Sequence, residues 1–221
     1  MSTDLHVLSA LAPRNIDDIA AAAHAVQANV ASLRVAWQRH TGEPAGLHEI
    51  RTPSPGSVRR MREILIDPRT LKEYTAGEIS LRLRQVWGEF CALCWLFPHV
   101  DPQRPICFDP LPPAESIRCC GDIQTKLAEV QRGLWRLRHE IAIRQHSNPG
   151  AVPALQAEHE IALALPVSVF GEPVHSAGDE PLLACACEYA GMLAALRWAT
   201  DSRWGWEAPG IMDVALSADG R

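Results

Sequence analysis

Lysine is nearly absent from this chain. Only Lys72 and Lys126 stand among 21 basic residues, against 26 acidic ones, and the net charge is −5. Broad nucleic-acid binding depends on neutralising phosphates with surplus cationic side chains, so the charge balance argues against it. The arginine bias itself reads as base composition of the gene. Long hydrophobic runs are missing as well: no stretch approaches the ~18 apolar residues of a membrane-spanning helix. The opening MSTDLHVLSALAPRN lacks the basic segment and long apolar core of a signal peptide. A cytoplasmic location with reduced thiols is the expectation, and an odd count of seven cysteines agrees with it. No G-x-S-x-G elbow, Walker loop or Rossmann glycine fingerprint occurs, which removes several large enzyme classes. No repeat at a solenoid period is present.

What remains is ordinary globular material. The 221 residues are 47% hydrophobic and 21% charged, enough apolar mass for one sizeable core without disulfides. The dominant signal is helical periodicity. Ile16, Ile19, Ala23, Val26, Val30, Leu33 and Trp37 alternate in threes and fours and lay one apolar stripe along a helix. Asn15 caps it, Asp17 and Asp18 suit its positive end, and Gly42 with Pro44 stops it. The segment TPSPGSVRRMREILIDP predicts a short helix. A Thr75/Glu78 capping box opens the next long one, whose stripe is Ile79, Leu83, Val86, Phe90, Leu93 and Phe97 before Pro98. A fourth covers roughly 115 to 146, with the stripe Cys120, Ile123, Leu127, Val130, Leu134, Leu137 and Ile141. The first half of 152–178 reads as helix and the second as strand or extended loop around Pro166. A last helix runs from an Asp179 cap through Leu182, Tyr189, Leu193 and Leu196.

The fold class expected is therefore all-α. It is an irregular bundle of four long and two short helices, with at most a short strand pair between 161 and 175. One domain spans 1–221. Within it, 98–114 is a stiff Pro-rich ordered crossover, and 201–221 is an irregular tail packed back on the bundle through Trp204 and Trp206.

Chemistry is thinner. Cys91, Cys94, Cys107 and Cys119, with Cys120 or His99 in reserve, have a spacing open to zinc or an iron–sulfur cluster. The C-x-x-C pair, however, lies deep in a helix rather than on a turn that would aim both sulfurs at one point. About 60° and about 120° from the stripe centre, Cys94 and Cys91 read as buried thiols acting as small hydrophobes. Cys185 and Cys187 read the same way. His139-Glu140 and His159-Glu160 are partial matches to the H-E-x-x-H zinc-protease motif, each missing the second histidine; a site shared by the two pairs is the remaining possibility. Ser57, Arg59 and Arg60 at a helix start are an anion-binding candidate, although capping and a solvated arginine face explain them as well. Arg132, Arg136 and His139 form a cationic strip.

The functional expectation is a non-enzymatic protein-binding or accessory module, with no cofactor and with a protein partner or self-association through Arg132, Arg136, His139, Trp204 and Trp206. A metal- or cofactor-dependent helical enzyme, using zinc or iron–sulfur at Cys91/Cys94/Cys107 or the two His-Glu pairs, is the alternative. Nucleic-acid binding through the 51–62 arginines comes third. A membrane is not expected as a partner.

Overall fold

A computed structural model describes residues 14–45, 61, 64–98, 117–145 and 153–206 of the chain, with side chains from 158 onward in the last of these segments. The fold is mainly α. Four long helices, α1 (Ile16–Thr41), α2 (Ala76–Trp95), α3 (Cys120–Gln145) and α5 (Asp179–Thr200), are joined by the shorter α4 (Pro153–Leu163) and a 3-10 turn at Thr70–Lys72. The one sheet among the described residues is a two-residue antiparallel pair, β1 (Ser168–Val169) and β2 (Glu172–Pro173). Most of the short helix expected around 52–68 lies outside the described residues.

The helix ends follow from local chemistry. Asn15 accepts the Asp18 N–H at 2.8 Å, and α1 stops at Gly42, whose φ of 77° is one that glycine adopts without a Cβ penalty. Thr75 and Glu78 form the reciprocal capping box that opens α2. Two starts differ from expectation. The last helix is capped by Gly178, with Asp179 already inside its first turn near the positive end of the dipole. Helix α3 begins at Cys120, whose side chain is exposed rather than on the stripe, because the first turn projects beyond the core.

In space the helices are arranged in the row α1, α2, α5, α3, α4, so the last helix of the chain lies between α2 and α3. Helix α5 is long and apolar enough, by length and composition, to cross a membrane, but 61% of its apolar window is buried inside this fold. Leu182, Cys187, Ala186, Ala195 and Leu196 are at most 1% exposed. That is the burial of a central core helix.

The α2–α5 contact is set by two glycines. A Cβ at Gly88 would collide with the Glu188 carbonyl, and one at Gly191 with the Gln85 carbonyl. Residue 85 faces 191 and 88 faces 188, so the helices run antiparallel with their backbones touching. A third glycine, Gly133 of α3, lies directly under the Tyr189 ring.

Polar pins lock the periphery. Asn29, 3% exposed, donates to the Ile64 carbonyl at 2.8 Å and accepts the Ile66 N–H at 2.9 Å, holding that segment against α1. Arg14 lies 4.3 Å over the Trp198 ring and donates to the carbonyls of Trp198 and Trp204 at 3.0 and 2.7 Å. This clamps the entry of α1 to the exit of α5. Trp206 packs edge-on to Trp198 at 5.1 Å, so the beginning of the tail returns to the bundle. The rest of the tail, and most of the 98–114 segment, lie outside the described residues. Residues on either side of that segment meet, since the Arg118 N–H donates to the Leu96 carbonyl at 2.9 Å.

Overpacking at the backbone contact is expected to be costly. Gly88→Ala or Gly191→Ala should lower stability by about 3 kcal/mol. Gly121→Ala, in the first turn of α3, meets only the Cys119 sulfur at 3.8 Å and should raise stability by about 0.5–1 kcal/mol. Equilibrium urea unfolding of the three variants measures both signs.

Candidate functional site

The cationic strip predicted on α3 does not form on the surface. Arg132 is exposed, but Arg136 is 2% and His139 4% exposed, because α4 and the segment leading to α5 cover that side of α3. Arg136 donates to Glu140 at 3.0 Å, Glu140 accepts from Arg144 at 3.1 Å, and Arg144 continues to Asp179 at 2.9 Å. Arg144 also donates to the carbonyls of Ala177 and Val174. This chain of charges ties α3 to the turn after β2 and to the first turn of α5. Burying charges is tolerated when each has partners, and here the arginines hold structure together rather than offering a docking face.

The two His-Glu pairs do come together in part. The His139 and His159 rings stack at 5.8 Å between centroids, and Trp135 stacks on the other side of His139 at 5.6 Å. Both nitrogens of His139 and Nδ1 of His159 are buried without a hydrogen-bond partner. The carboxylate nearest to His139 belongs to Glu158, with 3.8 Å from its Oε2 to Nδ1. Glu140 faces the arginines instead, and Glu160 is exposed. Burial, then the positive charges of Arg136 and His159, hold the His139 pKa below its usual value and favour a neutral ring. Among the described residues no three His, Cys, Asp or Glu side chains converge as a metal site needs.

The cysteines divide by environment. Cys94, Cys185 and Cys187 are buried, Cys91 is half-buried, and Cys119 and Cys120 are exposed. Burial pushes the Cys91 and Cys185 thiols up to about 12 and Cys187 up to about 11. Burial therefore favours the protonated thiol, the less nucleophilic form. Cys107, the fourth member of the proposed metal set, lies outside the described residues, as do Ser57, Arg59 and Arg60. Trp204 is 46% exposed with Arg197 over its ring at 5.6 Å, whereas Trp206 is packed on the core.

Periodicity did not reveal two other features. The first is a groove of about 440 Å³ along the outer face of α1. Ala28, Ala31, Ser32, Val35 and Arg39 follow i, i+3, i+4, i+7 and i+11 and so share one face; Pro68, Leu71 and Lys72 form the opposite wall. Val35 is 48% exposed there. Its described lining carries Arg39, His40 and Lys72 and no carboxylate. The alanines were the available signal, because α1 is apolar on more faces than the core stripe requires.

The second is Glu89, 1% exposed, whose Oε1 has no hydrogen-bond partner. Burial raises its pKa to about 7 against the favourable charge of Arg82. Glu188, on the facing helix, is raised by burial too, opposed by Arg84.

The sign for Glu89 is fixed by linkage. Its folded pKa is above the ordinary 4.5, so its stability contribution is full below pH 4.5 and is lost as pH rises through about 7. Glu89→Gln should match the parent near pH 4.5 and exceed it at pH 8 by up to about 3 kcal/mol, read by urea unfolding at both values. Alkylation followed by mass mapping on the native protein should label Cys119 and Cys120 rapidly; Cys91, Cys94, Cys185 and Cys187 should react only after unfolding.

No family model matches the chain, and neither the curated proteins nor the solved structures contain a significant match to it.

Proposed function

We propose that the chain is a non-enzymatic binding module that holds an acidic amphipathic helix of a protein partner in the groove along α1. The observation that carries this reading is the pairing of an apolar floor with a rim whose charged residues, among those described, are Arg39 and Lys72. Ala28, Ala31 and exposed Val35 offer small side chains that let a partner helix approach closely, while Arg39 and Lys72 contribute positive charge with no acidic counterweight among the described lining residues. Helix-in-groove recognition uses such a surface, with anchors at i, i+3, i+4 and i+7 entering the floor and flanking carboxylates meeting the rim. On a chain of net charge −5 a local basic rim also selects orientation and partner.

A metal-dependent reading rests on the stacked imidazoles of His139 and His159 and their unpartnered nitrogens. Protein purified without chelator and carrying less than about a tenth of an equivalent of zinc or iron would remove it.

The groove reading is tested with a synthetic amphipathic helix of roughly 18 residues, leucines on one face and glutamates on the flanks, followed by fluorescence anisotropy. It should bind the parent protein and weaken about tenfold between about 50 and about 300 mM NaCl. Val35→Asp should abolish binding, and a lysine-flanked version of the peptide should not bind. Equal binding of the two peptides, or binding indifferent to Val35→Asp, would overturn the proposal.

A further inference from the structure

We propose that a separate cavity between α2, α3 and α5 binds a small aromatic monocarboxylic acid. The cavity holds about 270 Å³, roughly nine times the ~30 Å³ a water molecule occupies in the liquid and near the lower end of small-molecule pockets. It exists because α2 and α3 flank α5 with little contact between them. Trp95, Met192 and Leu196 are among its walls. An indole face, a polarizable thioether and an aliphatic side chain together suit a flat apolar body.

The charge in the lining selects one end of that body. Lys126 is paired to Glu129 at 2.8 Å, so these two cancel. Arg118 is the remaining charge. Its guanidinium lies 4.6 Å over the Trp95 ring, its Nε donates to the Trp95 carbonyl at 2.7 Å, and its own N–H is tied to the Leu96 carbonyl at 2.9 Å. The group is therefore held in place, while no hydrogen bond from its two terminal nitrogens is made to a described residue. A guanidinium fixed at Nε with its outer N–H groups available is pre-organised for a carboxylate. One positive charge without a carboxylate partner among the described residues matches a monocarboxylate better than a phosphate, which carries −1.5 to −2. Tyr189, whose ring is set against Gly133, is also part of the lining.

The test uses 2-naphthoate and its neutral analogue 2-naphthalenemethanol as probes on the full chain, by isothermal titration. The acid should bind about tenfold or more tighter than the alcohol. Arg118→Gln should erase that preference, and Met192→Trp, which fills the cavity, should abolish binding of both. Since either variant could unfold the bundle, circular dichroism accompanies the titrations. A second readout needs no variant: naphthoate should shift the Trp95 indole N–H resonance of the parent protein. No naphthoate binding at 1 mM, equal affinity for acid and alcohol, a preference that survives Arg118→Gln in folded protein, or an unmoved Trp95 resonance would each overturn the proposal.

Discussion

The backbone contact between α2 and α5 sets where the other helices can pack. Gly88 and Gly191 remove the side chains that would hold these helices apart, and the facing carbonyls of Glu188 and Gln85 fill the space. Glycine inside a helix costs about 1 kcal/mol of propensity relative to alanine; here close packing offsets that cost. The approach makes α5 central, displaces α1 and α3 to opposite sides, and leaves α2 and α3 apart over α5. The arginine chain from Arg136 to Asp179 and the Arg14 clamp then fasten the outer elements to this axis.

Close backbone packing also concentrates polar groups where water does not reach. Glu89 and Glu188 are drawn into the same contact, and their raised pKa values express the cost of desolvating a carboxylate. His139 answers in the opposite sense, since burial and neighbouring positive charge favour its neutral ring. The two effects oppose each other: stability attributable to the carboxyls falls as pH rises above their ordinary value, while that attributable to the histidine falls as pH drops below its own. At the β-hairpin, Phe170 is the one described non-glycine residue with positive φ, at 50°. The guanidinium of Arg84, 4.8 Å over the Phe170 ring, compensates part of that strain.

The proposed binding surfaces lie on opposite sides of the α2–α5 axis and use the scarce positive charge in different ways. Along α1, Arg39 and Lys72 flank a groove suited to a partner helix. Beside Trp95, one immobilised arginine lines a smaller, half-open cavity suited to a small acid. The chain's two lysines are divided between them, one in each lining. Buried thiols serve as packing in Cys94, Cys185 and Cys187, whereas Cys119 and Cys120 project from the start of α3.

Local order in the chain set the helices and their caps. Asn15, Gly42 and the Thr75/Glu78 box satisfy or terminate hydrogen bonds within a few residues, and the stripe from Ile79 to Phe97 needs only a 3.6-residue period to be read. Tertiary structure alone decided which flank residues are buried, which glycines form contacts and where space remains. Arg136 and His139 look like a solvated face until α4 covers them, and Gly88 looks like a weak point until α5 arrives 100 residues later. The physical reason is range: capping and periodicity involve neighbours in sequence, whereas burial, backbone contact and cavities depend on which surfaces meet, and no local pattern specifies the partner.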